Sequence, residues 1–282
     1  MADWLIRSPE EHIQYDVDVL FGPWPSHPTD MDLAGLKAHL SHHHIQNALT
    51  LSTRGALFSD QAGNAETLAA TRQPPNPSPS ATSPSGEGRP GGAAGQGGWM
   101  GEDAGRRGGS EVGLVPVGTV DLRDAVGAAE QLDGLVGSGV RFLRLFTGAQ
   151  GVQGETPAYR HVVGEAVARG MVILQDGDPR KFGAVLAGRG ADVVFLDLHV
   201  YLLGDFVLMA KQEPGFRATT RMLSSPDGIE RVVDGVGARH LVFGSRTPFM
   251  DVSPQTLRLR YARIGAEDRA LIAGGNIQGL MG

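Results

Sequence analysis

The chain has 282 residues, no cysteine and a formal net charge of −6. Without cysteine it can form no disulfide and no thiolate zinc or iron–sulfur site, and the acidic balance argues against a dedicated nucleic-acid binder. No apolar run approaches the ~20 residues that span a bilayer, and Met1-Ala2-Asp3-Trp4-Leu5 lacks the basic and apolar regions of a secretory signal, so a cytoplasmic protein with no membrane partner is expected.

In chain order, Gln14–Leu20 reads as a strand. Asp32–Ile45 reads as a helix, with Leu33, Leu36 and Leu40 spaced three and four apart. Asn47–Leu51 is a second short strand. From Gln73 to Glu111 the composition changes: 11 Gly and 6 Pro fall in 39 residues. Such a stretch buries too little apolar surface to offset its ordering entropy, and it is expected to be a disordered insertion, with Trp99-Met100 its only apolar point. Beyond it the alternation continues. Strands are expected at Leu114–Leu122, Arg141–Phe146, Met171–Leu174, Val193–His199, Phe216–Leu223 and His240–Gly244. The helices between them are expected at Asp124–Val136, Ala158–Ala168, Asp178–Ala187, Leu202–Lys211 and Ile229–Val236. Pro254–Ile264 and Glu267–Ala273 read as closing helices.

The strands are nearly continuous Val/Ile/Leu/Phe runs, as suits a parallel sheet buried on both faces. Gly139, Gly170 and Gly190 stand where helices must end before the next strand. Eight strands alternating with helices predict an α/β fold, a (β/α)8 TIM barrel, with the insertion placed before the third strand. Without the insertion the chain has about the ~250 residues typical of that barrel, and we expect one domain over 1–282, interrupted at about 73–111. No GxGxxG follows a strand and no GxxxxGK[ST] occurs, so a nucleotide fold would lack its phosphate loop.

Chemistry in such barrels sits at the C-terminal strand ends. Those ends read Asp16-Val17-Asp18-Val19-Leu20-Phe21-Gly22, Arg144-Leu145-Phe146, Leu174-Gln175-Asp176-Gly177, Asp197-Leu198-His199 and Phe243-Gly244-Ser245-Arg246-Thr247-Pro248-Phe249. Together with Gly151–Gly177, Gly228–Phe249 and Asp268–Gly282, their order resembles the amidohydrolase-related branch of the amidohydrolase superfamily, metal-dependent hydrolases and decarboxylases on a TIM barrel. The resemblance places the family's two first-strand metal ligands at Asp18 and Leu20 and its fourth-strand histidine at Phe146. Its fifth-strand histidine falls at Gln175 and its eighth-strand aspartate at Arg246, while the sixth-strand histidine is kept as His199. Leu, Phe and Arg cannot ligate a divalent cation and Gln is a poor zinc ligand. The usual metal centre is therefore expected to be lost or altered, with no cofactor beyond weak residual divalent-metal binding.

These positions lead to two readings. In the first, the chain is a divergent hydrolase or decarboxylase acting on a small anionic molecule. Arg144 and Arg246 would hold that anion, Gln175 would add a polar contact, and His199 and Asp18 would be the acid and base candidates. In the second, it is a non-catalytic barrel that serves as a structural or regulatory partner of an active relative. A homodimer, or association with an active paralogue, is the expected protein partner. Barrel closure brings the first and eighth strands together, so Asp18 and Arg246 are expected to pair in the vacated site. His42-His43-His44 is expected to interact with a helix dipole rather than to hold metal.

Overall fold

The computed structural model describes residues 12–25, 31–72 and 111–281. The segment expected to be a disordered insertion, Trp99-Met100 included, lies outside the described residues apart from Glu111. Eight parallel strands follow one another around the sheet in sequence order. They are β1 (Ile13–Phe21), β2 (Ile45–Ser52), β3 (Gly113–Thr119), β4 (Phe142–Leu145), β5 (Val172–Gln175), β6 (Val193–Phe195), β7 (Phe216–Thr219) and β8 (Leu241–Val242). The ring closes where Val17 N–H donates to Phe243 O at 3.1 Å and Leu20 N–H donates to Thr247 O at 2.8 Å. The structure is thus the expected (β/α)8 barrel.

The helices are α1 (Leu33–His42), α2 (Thr53–Leu57), α3 (Asp60–Arg72), α4 (Ala128–Gly137), α5 (Thr147–Gln150), α6 (Pro157–Ala168), α7 (Pro179–Leu186), α8 (Leu203–Gln212), α9 (Gly228–Val236) and α10 (Val252–Arg260), with shorter turns closing the chain. Side-chain caps start several of them: Asp32 accepts from Gly35 N, and Asp178 accepts from Arg180 N. Gly139 (φ 84°) and Gly170 (φ 66°) take the left-handed turn that lets α4 and α6 hand over to the next strand. Helix α3 has no counterpart in the sequence reading. Its buried face consists of Gly63, Thr67 and Ala70, so it carries no apolar stripe at helical spacing. It packs tightly instead: a Cβ on Gly63 would collide with the backbone of Gly55.

Strand alternation separates two layers of core. On β5, Val172 and Leu174 join the cluster inside the barrel while Ile173 joins the cluster under the helices. On β4, Phe142 points inward and Leu143 and Leu145 point outward. On β7, Phe216 and Ala218 point outward. This parity decides which strand-end residues face the mouth. It turns Arg144, Asp176 and Arg221 inward and Gln175 outward. On β1 a register shift between Asp16 and Val19 interrupts the alternation, so that Val17 and Leu20 both lie inside and Asp18 turns inward between them.

Candidate functional site

Six alternating charges occupy the C-terminal mouth. Asp176 Oδ1 accepts from Arg144 Nη2 at 3.0 Å, and Arg144 Nη1 donates to Asp18 Oδ1 at 2.7 Å. Asp18 Oδ2 accepts from Arg221 Nη1, and Arg221 Nη2 is paired with Asp197 Oδ1. Arg246 Nη1 reaches the same Asp197 oxygen at 3.4 Å. Three carboxylates and three guanidiniums thus form one continuous, formally neutral chain across the barrel.

Access to water varies along it. Asp18, Arg144 and Arg221 are 0%, 2% and 2% exposed. The Asp197 and Arg246 side chains are 29% and 32% exposed. Burial opposes the charge on Asp18, but Arg144, Arg221 and Arg246 outweigh it and hold the carboxyl below its ordinary value. Burial likewise opposes the Arg144 charge, and Asp176 and Asp18 raise its pKa in spite of that. The Arg144 guanidinium also lies 4.8 Å from the centre of the Phe146 ring.

The expected Asp18–Arg246 pair is not formed. Both Asp18 oxygens are taken by arginines reaching in from β4 and from just beyond β7, and Arg246 pairs with Asp197. The cause lies in the backbone. Arg246 stands beyond the end of β8 at φ 63°, a conformation uncommon for any residue but glycine, and there its guanidinium meets the β6 end. Gln175, outward by parity, lies in the core with 0% exposure. Its Oε1 accepts from Tyr159 OH at 2.7 Å, while its Nε2 donates to Thr147 Oγ1 at 3.2 Å and to the Asp176 carbonyl. It packs α6 onto β5 and does not reach the mouth. His199 follows β6, partly buried, and its ring stacks on exposed Tyr201 with centroids 4.5 Å apart. Its Nδ1 accepts from Tyr201 N–H at 3.4 Å.

Some participants were not singled out from the sequence. Asp197 stood only within a strand-end run. Arg221 lay inside the expected seventh strand; its spacing of two from Thr219 and four from Arg217 was the available signal for an inward face. Asp16 is another. Its Oδ1 accepts from Asp18 N (3.1 Å) and Ser245 N (3.0 Å), so it ties β1 to the segment that carries Arg246. Its Oδ2 has no partner among the described residues. Burial pushes the Asp16 carboxyl up to about 7, against the pull of its hydrogen bonds from Ser245 and Asp18. Among the described residues no three His, Asp or Glu side chains come together as a metal site.

No protein-family model and no curated protein matches the chain. Solved structures do. A 5-carboxyvanillate decarboxylase from Sphingomonas paucimobilis superimposes with a TM-score of 0.66 at 12% identity, over 95% of this chain and 99% of that one. A 2,6-dihydroxybenzoate decarboxylase from Rhizobium gives 0.66 at 12% identity, over 96% and 98%. An Acinetobacter baumannii protein described as a probable 2-pyrone-4,6-dicarboxylic acid hydrolase, with citric acid bound, gives 0.61 at 13% identity, over 95% and 99%. The chain shares the fold of these decarboxylases and of this hydrolase.

Proposed function

We propose that the chain is a divergent barrel of the amidohydrolase superfamily whose mouth takes a small anionic molecule through Arg246. The ordered strand-end motifs support the family, and so does the fold held in common with proteins named for carboxylic acids. The charge chain carries the rest of the reading. The superfamily works through a divalent cation at the strand ends, and the residues here do not fit one. Asp18 is saturated by two guanidiniums, Gln175 faces the helices, Leu20 and Phe146 offer no donor atom, and Arg246 is itself a cation. No step is therefore routed through a metal.

The chain's own residues supply binding. Arg246 is partly exposed and is held by one 3.4 Å contact, so an incoming carboxylate can take its guanidinium in a two-pronged bond at little cost. Asp197, which it shares with Arg221, keeps that guanidinium aimed at the mouth. To His199, two residues after Asp197, we assign the giving or taking of a proton in a hydrolysis or decarboxylation. Asp18, sealed and doubly paired, we assign to structure. That sealing favours a second reading, a barrel that binds the acid without converting it, because the mouth then has one proton-transfer group where two were expected.

Calorimetric titration with 2,6-dihydroxybenzoate tests the proposal. Saturable binding, weakened about tenfold or more in Arg246→Ala as expected for loss of a charge-assisted contact, supports it; equal binding by both proteins overturns it. Product formation abolished by His199→Ala selects the enzyme, and binding without product selects the second reading. One tightly held divalent ion per chain by elemental analysis would refute the metal-free assignment.

A further inference from the structure

A groove of about 970 Å³ is lined by residues of α5, α6 and α7, of the loops before α6 and α7, and of the segment just past α7. Four cationic side chains line it: Arg160 in the first turn of α6, Arg180 and Lys181 in the first turn of α7, and Arg189 just past α7. Two carboxylates, Glu155 and Asp178, share the lining. Asp178 is committed, since it caps α7 and pairs with Arg180 at 2.8 Å. Arg160 and Lys181 have no carboxylate within ion-pair distance among the described residues. Arg189 donates from Nε to Val185 O at 2.6 Å, and its Nη1 lies 3.8 Å from where a Cβ on Gly164 would stand. The Arg189 guanidinium thus lies over α6 at ordinary contact distance and spans the two helices.

The lining carries an excess of two positive charges in a chain whose formal net charge is −6. A concave surface focuses such a field and gathers counter-ions from solution. Arg160 and Lys181 stand on different helices, so a ligand with two anionic groups can engage both walls at once. We propose that this groove is a second binding site, for a polyanion bearing two or more phosphate or carboxylate groups that bridges Arg160 and Lys181, with Arg189 as a third contact. None of the six charges of the chain lines it, although Gly177, which does, donates its N–H to Asp197 Oδ2 at 2.6 Å. The site does not depend on the function proposed above.

The test is calorimetric titration of the full chain at low salt with inorganic pyrophosphate and, in a separate arm, with citrate. Saturable binding is expected for at least one probe, and the tighter of the two identifies the phosphate or the carboxylate source. The Arg160→Ala/Lys181→Ala double variant should bind that probe about tenfold more weakly or worse, as the loss of charge-assisted bonds implies. Arg246→Ala, which removes only the anion contact of the mouth, should keep the binding that the double variant loses. Undiminished binding by the double variant overturns the site. So does a loss of binding in Arg246→Ala, which would place the probe at the mouth, and so does the absence of saturable binding with both probes.

Discussion

At its inner end the charge chain is sealed: Asp18 joins Arg144 and Arg221 where water does not reach any of the three. At its outer end the same chemistry is open: Asp197 and Arg246 meet at 3.4 Å with about a third of each side chain in solvent. The ions are alike, but their surroundings assign them different work. A buried ion pair costs desolvation to assemble and becomes very costly to break, because the surviving charge is left without a partner. An exposed pair contributes ~0–1 kcal/mol and is readily exchanged. The inner end therefore shapes the mouth, and the outer end is where a ligand can compete.

The largest expected effect follows directly. Asp18→Asn leaves two guanidiniums facing each other without their shared carboxylate and should cost about 3–5 kcal/mol, read as a lowered urea midpoint with an unchanged slope. A loss below about 1 kcal/mol would show that water reaches the inner end and that the contrast between the two ends is unfounded.

Protonation separates the sealed region further. Asp16 is pushed up to about 7 by burial, from an ordinary value of 3.8. Between about pH 4 and 7 the native state keeps a proton that the unfolded state releases, so this group removes stability as the pH rises through that window, by up to about 4 kcal/mol. Asp18 behaves oppositely. Held below 3.8, it contributes stability that is present above that value and is lost as the pH falls through its folded pKa. Asp16→Asn, which imitates the protonated acid, should flatten the pH dependence of the unfolding free energy between about pH 4 and 7. An unchanged slope would mean that another group titrates there.

Tyr159→Phe probes the layer outside the barrel. The lost hydroxyl leaves Gln175 Oε1 buried without its 2.7 Å donor, at a cost of about 1–2 kcal/mol in unfolding free energy. Binding at the mouth should be unaffected, since Gln175 faces the helices; weakened ligand binding would place Gln175 among the binding residues after all.

How much of this was legible follows from the physics of each part. Strand order and most helices were readable because continuous apolar runs and Gly-terminated helices are local signals, and Gly139 and Gly170 do end helices with positive φ. Helix α3 escaped because its contact face is Gly63, Thr67 and Ala70, small and polar side chains that leave no periodic trace. At the mouth, strand-end position brought Asp18, Arg144 and Arg246 into consideration, but their pairing depended on longer-range geometry. An arginine reaches across the barrel, so its partner is set by inward parity on a distant strand, as with Arg221 beyond β7 and Asp18 on β1. The register shift that turns Asp18 inward has no signature in Asp16-Val17-Asp18-Val19.

The smallest effect tests the open end most sharply. Arg246 holds φ 63°, which a side chain with a Cβ adopts only under strain, of order 1–3 kcal/mol for a residue in the left-handed region. Glycine adopts it freely. Arg246→Gly gives up an exposed contact contributing ~0–1 kcal/mol and relieves that strain, while glycine's greater freedom in the unfolded chain returns part of the gain. The net expectation is a protein as stable as the wild type or about 1 kcal/mol more stable, with acid binding at the mouth weakened about tenfold or more. Stability and binding would then move in opposite directions at one residue. A strained backbone at a position that contributes little to folding is what the proposed ligand contact would account for. If Arg246→Gly instead destabilises the chain by several kcal/mol, Arg246 belongs to the sealed network with Asp18, and the mouth has no open end.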